Sequence, residues 1–444
     1  MTTDSAIPDS FSVSCIVRGA LLTPLPGAGD AVRWEPDGAL AIGSDGRILA
    51  SGSANEILGR FPGAAVDDFS GRLILPAFVD AHLHFPQLDI IGSLGDSLLE
   101  WLENSALPAE LRMTDSRYTE IAAHILIQTL LTHGIATAVI YSSSHTDATR
   151  TLFAEAERSG MRALIGKVSM DRHAPAALLS DADRDVEQTA RLIEKWHQRT
   201  PLLHYVVTPR FAPCCSDELL RGCGEWLRSH PDLRLQTHFA ETRAECDWVR
   251  ELFPHDRDYL AVYERCGLLG PRTILGHAIQ IDAAIAERIA ESGAAVAHCP
   301  SSNLFLGSGL IPLELLEKFN VRVGLGSDIG AGTSVSMWRT MLAAYQVQRL
   351  RGRALSPGRL LKMATWQGAR ALGLEQETGA LIPGLFADFQ VIDWQRHPLL
   401  KRRMEQGAVD ADAVISALIA HADDRVTEEV RVLNRPIWQQ PVNG

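Results

Sequence analysis

"AFVDAHLHFPQ", residues 77–87, runs an apolar, β-prone segment straight into two histidines one residue apart, His82 and His84. In an extended chain successive side chains point to opposite faces, so residues two apart share one face. Two imidazoles standing side by side suit a shared ligand and suit an apolar core badly. Ordinary surface histidines are the alternative that this stretch alone leaves open.

Its surroundings narrow the choice. Across residues 72–376, short apolar or β-branched runs alternate with helical patterns. The strand candidates are "RLILPAFVDAHLH" (72–84), "IATAVIY" (135–141), "RALIGKVS" (162–169), "LHYVVTPR" (203–210), "RLQTHFA" (234–240), "TILGHA" (273–278), "AAVAHCP" (294–300) and "VRVGLGSD" (321–328). Helix-like stretches include 116–133, 184–198, 215–229, 282–292 and 336–351. In "DAAIAERIAESG", Ala284, Ile285, Ile289 and Ala290 fall on one helical face, with Asp282 placed to cap the start and Gly293 to end it. Eight strand–helix units predict an α/β chain closed into a (β/α)8 TIM barrel, against a doubly wound open sheet as the competing arrangement. The polar residues favour the barrel. His82, His84, Arg210, His238, His277, His298 and Asp328 all sit at or near the C-terminal ends of their strands, the barrel face where catalytic groups collect.

The flanks read differently. "SVSCIVRGALLTP" and "GALAIGSDGRILASG", with Asp45-Gly46 as a favoured hairpin turn, precede the barrel, and "ADFQVIDW" and "TEEVRVLNRPIW" follow it. Neither flank is long enough for a comfortable core of its own. Residues 1–71 and 377–444 are therefore expected to join in one small β-sandwich domain.

Composition limits the function classes. A chain of 444 residues, 46% hydrophobic and 22% charged, has ample material for a large globular core. Net charge is −12 with no Lys/Arg block, so phosphate backbones are repelled and nucleic acid is not an expected partner. The opening "MTTDSAIPDSFSVSC" lacks a basic and then apolar leader pattern, and no apolar run reaches membrane-spanning length. Seven scattered cysteines without paired spacing suit a reducing cytoplasm.

Zn2+ takes imidazole nitrogen and carboxylate oxygen, and a catalytic site keeps one position for water. His82, His84, His238 and Asp328 offer three nitrogens and one oxygen from strands one, five and eight, and strands one and eight become neighbours when a barrel closes. A divalent ion there activates water at neutral pH. His277, on strand six, would face the water or substrate. Glu241, three residues after His238 in "HFAET", is placed to carry protons, although an acidic residue in a first helical turn is also what the helix dipole favours.

Taken together, "PAFVDAHLH", "THFAET", "GHAI", "HCPSSNLFLGSG" and "GLGSDIGAGTSVSM" resemble the amidohydrolase superfamily. The narrower "HFPQ", "LLEWLENSALPAE", "VTPRFAP" and "CPSSNLFLGSGLIPL" are similar to its guanine deaminases. The resemblance spans the barrel and both flanks, with Ala77 where the family more often has Gly. It implies one zinc per chain on His82, His84, His238 and Asp328, with His277 near the water. It implies hydrolysis of guanine to xanthine and ammonia by attack on C2, with Glu241 as proton donor and Asp328 as proton carrier. It also implies a homodimer. Arg210 is then the candidate to read the adjacent O6 and N7 acceptors of guanine, as arginine does in DNA. Phe211 would offer a stacking face and Gln87 would meet the lactam edge. Trp101 and Leu102 enter as pocket wall only through the resemblance. His298 is read as structural.

Three rival readings compete with this one. Another deaminase or dechlorinase of the superfamily, acting on adenosine-like, pterin or triazine rings, would share the metal site and differ in Arg210, Gln87 and the pocket wall. A non-catalytic scaffold would be expected to lose ligands or the acid, and here all are present. The cytidine-deaminase-type fold needs Pro-Cys-x-x-Cys, which Cys214-Cys215 fails because position 217 is Asp.

Overall fold

The computed structural model describes residues 13–27, 29–407 and 410–441. The opening residues 1–12, read above for a leader pattern, lie outside these. Eight parallel strand positions run round a nearly closed barrel in chain order: Phe78–His84, Ile135–Tyr141, Arg162–Gly166, Leu203–Pro209, Arg234–Phe239, Thr273–His277, Ala295–His298 and Arg322–Leu325. All seven residues of Ile135–Tyr141 are buried, as befits a parallel strand covered on both faces. The helix Ala283–Ser292 carries the expected caps, with Asp282 accepting from the Ile285 amide and Gly293 turning left-handed at φ 73°.

The last and first strands are joined at the barrel mouth. The Asp328 amide donates to the His82 carbonyl (2.8 Å), the His84 amide to the Ile329 carbonyl (2.8 Å), and the Ser327 amide to Asp80 Oδ1 (3.0 Å). A register shift lies between Asp80 and Leu83, where three steps on the first strand oppose two on the second. Val79 and Ala81 belong to the apolar cluster shared with Val139, Leu164, Val206 and Ile274. Beyond the shift, His82 and His84 take their place at the mouth.

Both chain ends build a second, seven-stranded sheet. Its centre pairs Val13–Pro24 in parallel with Val66–Pro76, and Val66–Pro76 antiparallel with Phe389–Ile392. The hairpin Val32–Gly43 and Ile48–Ser53 closes one edge, and the pair Thr427–Val432 and Arg435–Gln439 the other. The expected α/β barrel with a small β unit drawn from both termini is thus present. Two strands differ from the reading above. The run 72–84 is two strands, because the chain leaves the terminal sheet at Pro76 and enters the barrel at Phe78. The run 162–169 breaks at Lys167, whose buried ammonium pairs with Asp185. Among the described residues no helix is long and apolar enough to cross a membrane.

Candidate active site

The strand-end histidines converge. His84 Nε2 lies 3.1 Å from His238 Nε2, and Asp328 Oδ1 lies 3.3 Å from His82 Nε2 and 3.5 Å from His84 Nε2. His82, His84 and Asp328 are buried, and His238 is partly open toward the pocket. Burial holds His84 and His238 well below the usual imidazole range, so both are neutral. Burial works against the Asp328 carboxylate, but the close approach of His82 and the nearby His277 and His84 imidazoles outweigh that and keep it well below the usual range.

These protonation states are those a metal requires, since ligands must be neutral imidazole or ionised carboxylate. The hydrogen bonds agree. His238 Nδ1 donates to the Arg210 carbonyl at 2.7 Å, which leaves a lone pair on Nε2 facing His84. His82 Nε2 is buried with no hydrogen-bond partner among the described residues. The His82, His84 and His238 nitrogens lie within 4.8 Å of one another, and the Asp328 carboxylate stands beside His82 and His84, a donor set that fits a divalent cation. Tyr141, at the end of the second strand, packs its ring against both, with centroids 4.7 Å from His82 and 4.6 Å from His84.

Strand six and the loop after strand five supply the next layer. His277 Nε2 stands 3.5 Å from Glu241 Oε2. The two are tied by Asn303, whose Nδ2 donates to His277 Nδ1 (2.9 Å) and to Glu241 Oε1 (3.3 Å), and Ser308 Oγ donates to the same oxygen at 2.7 Å. Because His277 Nδ1 accepts, its proton is on Nε2. Burial, aided by the charge of Asp328, pushes the Glu241 carboxyl up to about 8. The backbone there is constrained. A capping box between Thr242 and Glu245 starts the helix Arg243–Leu252, and Glu245 Oε2 also accepts from the Glu241 amide at 2.8 Å. Ala240, His277, Ala278 and Asp328 all have φ between 50° and 73°, sparsely populated values for residues with a Cβ, costing about 1–3 kcal/mol each.

The facing wall comes from loops. Gln87 lies on the short turn Phe85–Ile90, Trp101 ends the helical turn Leu98–Trp101, and Leu102 opens the turn that follows. Arg210 and Phe211 follow the fourth strand. These five line one pocket with His84, His238, Glu241, His277 and Asp328. Every residue proposed from sequence as a pocket contact is therefore at the pocket, and His82 stands behind it. His298 is buried on the seventh strand and does not itself line the pocket.

A model described as the amidohydrolase family matches residues 73–429. The chain belongs to the amidohydrolase family. It is 36% identical to a guanine deaminase of Escherichia coli over 92% of this chain and 93% of that one. Superposed on the solved E. coli guanine deaminase, it gives a TM-score of 0.92 over 96% of this chain and all of the other. A probable guanine deaminase of Deinococcus radiodurans is 40% identical over 80% of this chain and 82% of its own length. The solved guanine deaminase of C. acetobutylicum with guanine bound in its active site is 27% identical, with a TM-score of 0.89 over 95% of this chain and 99% of its own.

For this family member the sequence reading missed four contributors. Asn303 and Ser308 lie inside the motif "HCPSSNLFLGSG", so motif membership was their only signal. Tyr141 looked like the end of an apolar strand. Glu110, buried on the short helix Leu107–Leu111, pairs with Arg210 and left no trace in spacing.

Proposed function

We propose that this protein is a guanine deaminase that hydrolyses guanine to xanthine and ammonia with one Zn2+ per chain on His82, His84, His238 and Asp328. The observation that carries the reading is one pocket holding a carboxyl kept protonated near neutrality, Glu241, opposite an arginine and a glutamine, Arg210 and Gln87. When bound, the cation lowers the pKa of water so that a nucleophile is available at neutral pH.

The chain's own groups do the rest. Arg210 presents N–H donors to O6 and N7 of the base, whereas an adenine-like ring would offer a donor at position 6 to the same donors. Gln87 meets the lactam edge, Phe211 gives a stacking face, and Trp101 and Leu102 keep water from the ring. Glu241 Oε1 already accepts from Ser308 and Asn303, so its proton is held on Oε2. That proton goes to a ring nitrogen as water adds at C2, which avoids leaving a bare anion on the purine. His277 Nε2 donates a hydrogen bond to the incoming oxygen. Asp328 takes one proton of the water and passes it to the departing amine, and the proton left on the C2 hydroxyl returns to the Glu241 carboxylate as the carbonyl forms, so guanine and water become xanthine and ammonia.

A cytoplasmic location is supported by seven cysteines that are all free. A homodimer rests on the family resemblance, and sedimentation velocity checks it. The function is tested by screening purified protein against guanine, adenine, cytosine, pterin and triazine amines, with metal content measured on the same sample. Guanine is expected to be the preferred substrate at one zinc per chain. Preferred turnover of another amine, or full activity without metal, would overturn the reading.

A further inference from the structure

We infer that Glu110 is a positioning residue that sets purine specificity by holding Arg210 and Gln87 in the one arrangement that matches a neutral 6-oxopurine edge. The inference rests on the guanine reading above. Glu110 is 1% exposed and does not itself line the pocket. Both its oxygens are engaged by one nitrogen, Arg210 Nη1, at 2.6 and 2.7 Å. Arg210 Nε and Nη2 make no protein hydrogen bond among the described residues, so the guanidinium keeps an edge with two parallel N–H groups for a ligand.

The same carboxylate fixes the glutamine. Gln87 Nε2 donates to Glu110 Oε1 at 3.1 Å, and Gln87 Oε1 accepts from the Gly330 amide at 3.2 Å. A flipped amide would set its oxygen against the carboxylate and its NH2 against an N–H, so only one orientation survives. One N–H and one lone pair of Gln87 remain for substrate. Glu110 also balances the buried charge of Arg210, which makes this wall dipolar instead of cationic and suits an uncharged ring better than an anionic one.

Glu110→Gln keeps the shape and removes the charge and the orientation lock. Its KM for guanine is expected to rise about 100-fold with kcat within about threefold, the pattern of lost binding and not lost chemistry. The preference for guanine over 2-aminopurine, which lacks the O6 acceptor, is expected to fall at least about tenfold. Because Glu110 acts through Arg210, the same change in an Arg210→Met background is expected to add less than about threefold. Glu110→Asp, which withdraws the carboxylate and keeps its charge, gives a second reading of the same KM split if the glutamine variant fails to fold. Unchanged KM and preference in these variants, or full additivity with Arg210→Met, would overturn the inference while wild-type guanine turnover stands. A wild type that leaves guanine untouched would instead bring down the substrate reading first, and this one with it.

Discussion

The strand-end wall and the loop wall of the pocket solve different electrostatic problems with the same side-chain type. Glu241 and Glu110 are both buried glutamates. Glu241 faces neutral donors, Asn303 and Ser308, and burial, aided by the anionic Asp328, raises it to about 8. Glu110 faces the Arg210 guanidinium at 2.6 Å. A buried carboxyl without a cation is a proton donor, whereas one with a cation is a fixed anchor. In the proposed reaction the strand-end wall therefore moves protons, and the loop wall orients the ring.

Several experiments can break or sharpen that division. Metal removal has the largest effect: chelation should abolish turnover, and one equivalent of Zn2+ per chain should restore it, read by ammonia release and metal analysis. Glu241→Gln should lower kcat by about 10²–10⁴-fold with metal content unchanged, since a proton donor of this kind contributes that much. Arg210→Met should cost about 1–3 kcal/mol of discrimination between guanine and 2-aminopurine, seen mainly in KM, with zinc retained. If Arg210→Met instead lowered kcat as Glu241→Gln does, the two walls would not be separable.

The pH profile sharpens the point. Glu241 must be protonated to act, so kcat/KM should fall as pH rises through about 8, and that limb should vanish in Glu241→Gln. The smallest effect on turnover is expected far from the pocket. Arg162 is buried against Asp388 at 3.0 Å, where the third barrel strand meets the terminal sheet. Arg162→Met should cost about 3–5 kcal/mol of stability by stranding a buried carboxylate, yet leave kcat of the folded enzyme near that of the wild type, measured by denaturant titration beside steady-state assay.

The two walls also differ in how far they can be read from the chain. His82, His84, His238, His277 and Asp328 stand out because regular strands end in polar residues at one face, and the period of two carries through the His82–His84 pair. The loop wall has no such regularity. Gln87, Trp101 and Leu102 lie on short turns without a sustained period, so only family motifs pointed to them. Glu110 closes the motif "LLEWLENSALPAE", but its role was hidden because its partner Arg210 is 100 residues further on, and pairing over that distance leaves no local pattern. The split of residues 72–84 was hidden for the opposite reason. An apolar run stays apolar whether it crosses one sheet or passes from one to another.

That crossing at Ala77 has a consequence for biogenesis. The strand Val66–Pro76, which delivers the chain to His82 and His84, pairs with Phe389–Ile392, and those with Thr427–Val432. Closing such a long loop carries a large entropic penalty before any contact rewards it. On the ribosome, the scaffold behind the paired imidazoles cannot be completed until residues 389–432 have emerged. Loss of the strands Phe389–Ile392 and Thr427–Val432 would therefore strip the strand that leads into His82 and His84 of its support, from a segment more than 300 residues away in the chain.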